Sequence, residues 1–429
     1  MPSNYNFTQN SFTYSFDDIF VFKDTFDTSA GTGLSAKFFT AGSQDIEDYF
    51  LIDSDIIDTY IGDQVWCWGS GSYGQIGINN TISPKTPCPV FGNAVNWKEV
   101  SSGYTHCAAI KSDSSLWSWG RGLAAVIGDN QRISRSTPVR EFSSSTTWKK
   151  VACGKQNTLA IKTDGTLFGW GFNQYAQLGD NTTNARSTPT GVFGGGNWKE
   201  VACGELHTAA IKTDGTLWSW GNNNYGALGQ NSAGFTNFPT PVPITGGGTN
   251  WNKVSCGYSF TAAIKTDGSL WSWGRNNFGQ LGISNRLDKT TPVREATSGT
   301  TWKILDCGRW NTSAIKTDGT AWCWGNNQYA QLGANLANSI PSRSSPVLVF
   351  GGATNWKQIA IGRRHALAIK TDGTMWAWGS HSYGQTGINY NNYVNPADNS
   401  TPIPIFSNGT NWKQISAGYY SSAAISTGP

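Results

Sequence analysis

A four-residue motif, Trp-x-Trp-Gly, occurs seven times in this 429-residue chain and constrains the fold more than any other feature. In the third copy, Phe168 stands in place of the first tryptophan. The second tryptophan recurs at steps of 51, 51, 50, 53, 51 and 54 residues, and the seven positions are Trp68, Trp119, Trp170, Trp220, Trp273, Trp324 and Trp378. A period near fifty residues predicts an array of structural repeats, with these tryptophans in structural roles.

A second tryptophan anchor, usually followed by lysine, also occurs seven times, from Trp97 to Trp412. The distance from this anchor to the second tryptophan of the next Trp-x-Trp-Gly is 22 residues in all six cases that can be measured. The remaining part of the unit varies in length. Constant length indicates paired strands, and variable length indicates surface loops.

Each unit contains the signals for four short strands. In the fourth unit, the anchor strand starts at Trp198, and a small apolar strand follows around Ala209. The turn Asp214-Gly215 then leads to the Trp-x-Trp strand, and Asp-Gly between two strands is a strong hairpin signal. The fourth strand begins near Thr-Pro or Ser-Pro, where proline suits a strand start or edge. The second unit departs from this pattern with Asp113-Ser114.

The two ends of the chain complement each other. The last anchor, Trp412, and the apolar strand after it have no Trp-x-Trp-Gly behind them, whereas the first Trp-x-Trp-Gly, at Trp66, has no apolar strand before it. Two strands from the carboxyl end and one or two from the amino end therefore complete one unit. We predict an all-β fold in which seven four-stranded units close into a ring, which removes exposed edge strands.

Residues 1–61 lie outside the repeats and form a predicted N-terminal arm, and residues 62–429 form the repeating body. Up to Asp63 the chain carries 11 acidic and 2 basic side chains, against 16 acidic and 29 basic ones in the remainder. Phe12 to Phe16 alternates as a short strand does, and 45–60 has the apolar spacing of a helix. An arm so rich in aromatic residues is expected to fold against the body or a partner.

The sequence gives no sign of a secretory signal or a membrane-spanning segment. Four of the eight cysteines, at 153, 203, 256 and 307, occupy equivalent positions, and no Cys-x-x-Cys occurs. We therefore expect structural thiols and no metal site. The Gly-Asp-Asn stretches after Gly128 and Gly179 are interpreted as turns, since neither matches a calcium loop.

The repeat resembles a known family. The segments from Val201 to Thr208, Leu217 to Gly221 and Tyr225 to Gly229 are similar to the repeat of the regulator of chromosome condensation family, and the resemblance covers about residues 62–429. It implies a seven-bladed β-propeller closed by a blade that the chain ends share. It also implies that the chain binds proteins through the faces of the propeller. The family includes a nuclear guanine-nucleotide exchange factor, repeats in ubiquitin ligases and an inhibitor of β-lactamase, so the fold does not choose the function.

The histidines do not indicate catalysis. His106, His207 and His365 share one repeat position, which Tyr420 is expected to fill in the last unit. They are interpreted as hydrogen-bonded blade residues. No catalytic triad, paired-carboxylate motif or phosphate-binding loop is apparent, and we expect neither an enzyme nor a cofactor.

The candidate binding residues are two variable positions between the glycine that follows each anchor strand and the histidine position. Eight of these fourteen residues are Tyr, Trp or Arg, the types that dominate binding hot spots. Repeat geometry places all seven pairs at one end of their blades. The partner-binding prediction covers Tyr104, Lys155, Glu205, Tyr258, Arg309, Trp310, Arg363, Arg364, Tyr419 and Tyr420.

Three functions fit these features. The leading hypothesis is a non-enzymatic structural or docking component of a larger assembly, such as a phage virion or tail surface protein anchored by residues 1–61. The alternatives are a soluble regulator, either a nucleotide-exchange factor or an enzyme inhibitor, and a glycan-binding head. The phage hypothesis implies localisation in a virion, and the alternatives imply a cytoplasmic protein. A nucleic-acid partner is not expected, because the basic residues are dispersed over the body.

Overall fold

A computed structural model gives the architecture of the chain. It describes residues 62–429 except 93, 235, 337–340, 389–397, 406–408, 410 and 428–429, and the backbone of six short strands before residue 62. The chain divides into two compact units, Met1–Gly62 and Asp63–Pro429. None of the described helices is long and apolar enough to cross a membrane.

The first unit contains three antiparallel strand pairs. They are β1 (Phe7–Gln9) with β2 (Phe12–Tyr14), β3 (Ile19–Val21) with β5 (Phe38–Thr40), and β4 (Leu34–Ala36) with β6 (Phe50–Ile52). The strand predicted from Phe12 is therefore present. The helix predicted over 45–60 is wrong at β6, where pairing with β4 replaces helical spacing; the rest of that segment lies outside the described residues.

The second unit consists of seven four-stranded antiparallel sheets, the blades of the propeller. The first strands of neighbouring blades contact each other in a closed circle and form the innermost layer. These innermost strands are β9 (Trp97–Ser102), β13 (Trp148–Cys153), β17 (Trp198–Cys203), β21 (Trp251–Cys256), β25 (Trp302–Cys307), β29 (Trp356–Ile361) and β33 (Trp412–Ala417).

The other three strands follow outward in chain order in six blades, and the seventh takes its two outer strands from the amino end. The second strands are β10 (His106–Lys111), β14 (Asn157–Lys162), β18 (His207–Lys212), β22 (Phe260–Lys265), β26 (Asn311–Lys316), β30 (His365–Lys370) and β34 (Ser421–Ser426). The third are β7 (Gln64–Gly69), β11 (Leu116–Gly120), β15 (Leu167–Gly171), β19 (Leu217–Asn222), β23 (Leu270–Gly274), β27 (Ala321–Asn326) and β31 (Met375–Gly379). The outermost are β8 (Cys88–Pro89), β12 (Arg135–Arg140), β16 (Arg186–Gly191), β20 (Asn237–Pro243), β24 (Lys289–Arg294), β28 (Ser342–Leu348) and β32 (Asn399–Pro404). A short 3-10 helix spans Asn224–Gly226.

One blade joins the two ends of the second unit, in the order β33-β34-β7-β8. Ser421 pairs with Gly69 and Ser426 with Gln64, so the carboxyl-terminal strand continues the sheet without a break in register. The fold is the seven-bladed β-propeller that the sequence predicts, and the closing blade takes two strands from each end of the unit. This pairing leaves β34 with a neighbour on both sides and no exposed backbone edge.

The second tryptophan of every Trp-x-Trp-Gly holds two blades together. All seven are fully buried. Each indole Nε1 donates a hydrogen bond, 2.9–3.0 Å long, to a carbonyl on the loop of the preceding blade, as Trp220 does to Gln177 and Trp68 does to Gln385. An aromatic side chain of this size buries roughly 200 Å². The regular spacing therefore has a direct structural cause.

The blades have two distinct ends. We call the end that carries the turns between first and second strands the loop end. The opposite end, with the Asp-Gly turns between second and third strands, is the hairpin end. Because an innermost strand runs from the hairpin end to the loop end, its anchor tryptophan and the variable residues after it lie at opposite ends of the propeller.

Candidate functional site

The loop end is built on seven backbone turns of one design. In each turn, the amide of the glycine after the innermost strand donates to the carbonyl of the residue three positions later, as Gly103 does to His106. The backbone carbonyl of the second variable residue accepts a hydrogen bond from the amide that follows the Trp-x-Trp-Gly motif, as that of Trp310 does from the Asn326 amide. These bonds use only the main chain, so the backbone is fixed and the two side chains are free to differ.

The turns also touch one another around the axis. A Cβ added to Gly308 would lie 2.4 Å from the carbonyl oxygen of Gly362, and one added to Gly418 would lie 2.5 Å from that of Gly103. Equivalent approaches, all below 3.0 Å, occur between every pair of neighbouring turns. Seven glycines thus form a closed collar, and only glycine allows backbones this close.

A cavity of about 90 Å³ lies inside this collar. The first variable residue of each turn lines it, and these seven form what we call the inner circle: Tyr104, Lys155, Glu205, Tyr258, Arg309, Arg363 and Tyr419. Below them the lining is formed by the last residues of the innermost strands, among them the thiols of Cys153, Cys203, Cys256 and Cys307 with Ile361 and Ala417. The cavity therefore has a weakly polar base beneath a charged and aromatic rim.

Three of the second variable residues pack on aromatic residues of the loops that follow the third strands. Trp310 lies 5.4 Å from Phe278, and Tyr420 lies 4.5 Å from Tyr383, measured between ring centroids. The guanidinium of Arg364 lies 4.1 Å from the centre of the Tyr329 ring. We call Trp310, Arg364 and Tyr420 the outer circle. The ten predicted residues thus form two layers, seven at the axis and three around them.

The loop aromatics at this end were missed in the sequence prediction. The fourth residue after the Trp-x-Trp-Gly motif is aromatic in six of seven units: Tyr73, Tyr175, Tyr225, Phe278, Tyr329 and Tyr383. Arginine stacks on two more of them, Arg121 on Tyr73 and Arg275 on Tyr225. A search for aromatic residues at a fixed distance from the motif finds this position.

Two inner-circle arginines are embedded among aromatic rings. Arg309 lies over Trp310 at 4.4 Å and over Tyr258 at 5.2 Å, and it donates a hydrogen bond to the Tyr419 hydroxyl. Arg363 lies over Tyr419 at 4.4 Å and donates to the Tyr420 hydroxyl. Cation–π contacts of this kind contribute about 0.5–2 kcal/mol each. They hold long side chains in defined positions without neutralising their charge.

Glu205 is the one carboxylate in the inner circle. It is 4% exposed and lies between two cations, with Lys155 Nζ 3.3 Å from Oε2 and Arg309 Nε 3.0 Å from Oε1. The Arg309 approach is an ion pair without hydrogen-bond alignment, since neither atom has a bonding partner. Burial raises the pKa of Glu205 to about 7, against the opposing effect of Arg309 and Arg363. Burial also lowers the pKa of Lys155.

Tyrosines at the loop end link the closing blade to the blade of β9 and β10. Tyr104 and Tyr419 lie on neighbouring blades with ring centroids 3.7 Å apart, and Tyr419 is 4.4 Å from Tyr420. Burial raises the pKa of Tyr419 to about 12, so its hydroxyl is protonated and can act as a hydrogen-bond donor. The rings extend the aromatic surface from the axis to the outer circle.

The three repeat histidines are structural. The Nε2 atoms of His106 and His207 lie 2.9 Å from threonine hydroxyls of the next blade, and His365 Nε2 lies 2.8 Å from Ser422. Burial lowers the pKa of His106 to about 3 and that of His207 to about 4, which keeps both rings neutral. One assignment was wrong: Ser421, which pairs with Gly69, fills the histidine position in the last unit, and Tyr420 belongs to the variable pair.

The described residues hold no cluster of His, Cys, Asp or Glu suited to a metal ion. The cysteines among them are all free thiols, and burial raises the pKa of Cys153 and Cys203. The Gly-Asp-Asn turns contain ion pairs, Asp129 with Arg135 at 2.6 Å and Asp180 with Arg186 at 2.7 Å. Each aspartate is thus paired with the arginine that begins the outermost strand of the same blade.

Comparison with protein families matches the RCC1-like domain over residues 194–428. Models of the regulator of chromosome condensation (RCC1) repeat match 63–110, 148–177 and 164–211. Among curated proteins, the Ultraviolet-B receptor UVR8 of Arabidopsis thaliana is 32% identical over 76% of this chain and 63% of its own length. The E3 ubiquitin-protein ligase HERC2 of Homo sapiens is 27% identical over 76% of this chain and 6% of its own. The chain therefore spans less than two thirds of either relative.

Two solved structures share the fold. Prp20p from Saccharomyces cerevisiae, described with its binding to Gsp1p and histones, superposes with a TM-score of 0.75 at 20% identity, covering 87% of this chain and 95% of its own. Human WBSCR16 gives 0.72 at 18% identity, covering 86% and 99%. At these identities the similarity shows a shared propeller fold and does not show shared binding partners.

Proposed function

Since the chain belongs to the RCC1-like family, we propose that it is a non-enzymatic, protein-binding regulator whose partner docks on the loop end of the propeller. The observation that carries this proposal is the composition of the turns. Eight of fourteen variable residues are Arg, Tyr or Trp, held half-buried on a backbone that needs none of their side chains. Such residues dominate binding energy at protein interfaces.

The regulator hypothesis replaces the assembly hypothesis as the leading one. The relatives are named as a photoreceptor and a ubiquitin ligase, and a protein of the same fold is described as binding Gsp1p and histones. These names favour control of other proteins over a role in a virion. We propose residues 1–61 as a separate docking segment. A chain that starts at residue 62 tests this, because it should lose a partner that the whole chain retains.

Binding at the loop end is tested with a fourfold variant that carries Arg309→Ala, Trp310→Ala, Arg363→Ala and Tyr419→Ala. The full chain and the variant are immobilised, exposed to an extract of the source cells, and their captured proteins are quantified by mass spectrometry. A partner enriched by the wild type should lose at least about a hundredfold in affinity for the variant, since one hot spot alone contributes 2 kcal/mol or more.

A matched control carries four changes at the hairpin end. Lys149, Lys199, Lys303 and Lys357 are exposed second residues of innermost strands, and their replacement by Gln alters charge without touching the loop end. This control should retain the partner. Undiminished capture by the alanine variant, with its near-ultraviolet circular dichroism unchanged, would contradict the proposal.

The kind of regulation is a separate question. An exchange factor accelerates nucleotide release from a small GTPase, whereas an inhibitor lowers the turnover of a captured enzyme. The class of the captured partner determines the assay: nucleotide release for a small GTPase, and turnover for an enzyme. A glycan array, run beside them, tests the remaining alternative, and binding there that depends on Trp310 would displace the protein-binding proposal.

A further inference from the structure

The inner circle carries more positive than negative charge. Lys155, Arg309 and Arg363 contribute three cations, and Glu205 contributes the one carboxylate. Lys155 and Arg309 both pair with Glu205. Across the described part of the chain, Arg363 has no carboxylate within ion-pair distance. A surplus of positive charge around a half-buried cavity favours a bound anion, because electrostatic attraction is stronger there than in bulk water.

Arg363 is held so that it can face an anion. Its guanidinium carbon lies over three aromatic rings, 4.4 Å from the centre of Tyr419, 5.2 Å from that of Tyr420 and 5.6 Å from that of Trp310. Its Nη1 donates to the Tyr420 hydroxyl, whereas its Nε has no acceptor among the described residues. An arginine stacked in this way presents the donors on its edge, the arrangement that matches carboxylate and phosphate oxygens.

A second donor at the cavity also lacks an acceptor. The hydroxyl of Tyr104 is buried and forms no hydrogen bond to any described residue. A buried polar group without a partner is unfavourable, so a ligand oxygen at this point gains a bond that the free protein does not make. Tyr104 and Arg363 both line the cavity.

We propose that the axial cavity binds one oxyanion of the protein partner, a carboxylate or a phosphoryl group, with Arg363 as the main contact. The proposal rests on the function proposed above, since it names the chemistry by which the partner is recognised. The cavity of about 90 Å³ admits a single group of this size. It is well below the several hundred Å³ of an ordinary small-molecule site.

Glu205 adjusts this site. The charged or titratable groups that face it are Lys155, Arg309, Arg363 and Tyr419, from four other blades. Its pKa of about 7 means that it becomes protonated as the pH falls below neutrality. Protonation removes the one negative charge of the inner circle and frees Lys155 and Arg309 for the ligand. Anion binding should therefore strengthen from pH 8 to pH 6.

The first test is titration of the full chain with sulfate, followed by nuclear magnetic resonance of the arginine side chains and by calorimetry. Sulfate stays fully ionised over this pH range, so a change in affinity belongs to the protein. We expect Arg363→Gln to weaken sulfate binding at least tenfold and Arg363→Lys to recover part of the loss. Glu205→Gln should strengthen binding at pH 8 several-fold and abolish the pH dependence.

The control is Lys149→Gln, at the opposite end of the innermost strand that precedes Lys155. It removes a positive charge but leaves the cavity intact, and it should bind sulfate as the wild type does. If Arg363→Gln and the wild type bind sulfate equally, or if the wild type does not bind it, the inference is wrong.

Three peptides of one sequence, with a central Glu, phosphoserine or Gln, distinguish the source of the oxyanion. Preference for the Glu or the phosphoserine peptide identifies the group, and equal binding of all three contradicts the inference. The proposed function fails separately, when the alanine variant still captures the partner. If the alanine variant loses the partner but the wild type does not bind sulfate, the proposed function stands and the oxyanion proposal is wrong.

Discussion

The two ends of the propeller derive from the same seven repeats but differ in what is repeated. At the hairpin end the side chains recur. Six aspartates, from Asp113 to Asp372, each accept a hydrogen bond from the backbone amide two residues on, at 2.8–2.9 Å. Six lysines, from Lys111 to Lys370, lie 4.8–5.1 Å from the centre of an anchor tryptophan ring.

At the loop end only the backbone recurs. The glycine collar and the turn hydrogen bonds are the same in all seven blades, while the variable pairs range from Tyr-Thr to Arg-Arg. The hairpin turns add the aspartate side-chain bonds to their backbone bonds, as Asp214 does beside the bond from the Lys212 amide to the Thr216 carbonyl. The loop turns are complete without side chains, so these positions can be assigned to binding. The predictions below test this division.

The largest effect is expected from a methyl group in the collar. In Gly308→Ala the new Cβ would lie 2.4 Å from the Gly362 carbonyl oxygen, a contact that the packed turns cannot relieve. We expect the free energy of unfolding to fall by about 3 kcal/mol, as for overpacking in a rigid core. Denaturant unfolding followed by tryptophan fluorescence measures it.

The control is Gly246→Ala, on the connection that leads to β21. Its added Cβ meets no atom within 4 Å, although φ is +70°. The loss there should be about 1 kcal/mol, from backbone strain alone. Equal losses at both glycines would show that the collar is not rigid.

Carboxylates at the two ends should respond to pH in opposite directions. The folded-state pKa of Glu205 is about 7, above its ordinary value of 4.5, so the folded state favours its protonated form. Its contribution to stability is therefore greatest below pH 4.5 and declines as the pH rises to about 7. Glu205→Gln should remove this decline and stabilise the protein at pH 8 by at most about 3 kcal/mol.

Asp214 at the hairpin end provides the contrast. Hydrogen bonds from the Thr216 hydroxyl and backbone amide lower the pKa of the Asp214 carboxyl. Asp214 therefore stabilises the folded state fully at a pH above its unfolded-state pKa, and this stabilisation is lost as the pH falls through its folded-state pKa. Asp214→Asn should alter only the acid limb of a stability profile measured by thermal unfolding. A Glu205→Gln profile parallel to that of the wild type between pH 4.5 and 7 would refute the assignment.

The smallest effect is expected at Ser114. This residue has φ of +62°, at a turn position where Gly165 has +82° and Gly215 has +79°. A side chain in this region is strained, and Ser114→Gly should raise stability by about 0.5 kcal/mol. The reciprocal Gly165→Ser should lower stability by a similar amount, and a differential scanning calorimeter resolves both. Opposite signs would show that side-chain contacts outweigh backbone strain in these turns.

Much of the fold could be predicted from spacing. The constant 22 residues from anchor to motif correspond to three paired strands, and the truncated units at the chain ends correspond to the closing blade. The last histidine position was misplaced by one residue because tyrosine resembles the aromatic side chains of this position more than serine does. The spacing of nine residues from the anchor tryptophan identifies Ser421, and its pairing with Gly69 agrees. The helix expected before residue 61 was wrong at Phe50–Ile52, where three residues pair with another short segment.

The sequence by itself determined the propeller, its closure and the end at which the variable residues lie, because each follows from local periodicity repeated seven times. Only the tertiary structure decided which of those residues meet. Lys155 and Arg309 lie 50 and 104 positions from Glu205, and Tyr104 lies 315 from Tyr419, so no local pattern links them. Ring closure brings them together at one axis. There, burial raises the pKa of Glu205, and aromatic rings hold Arg363 beside the cavity.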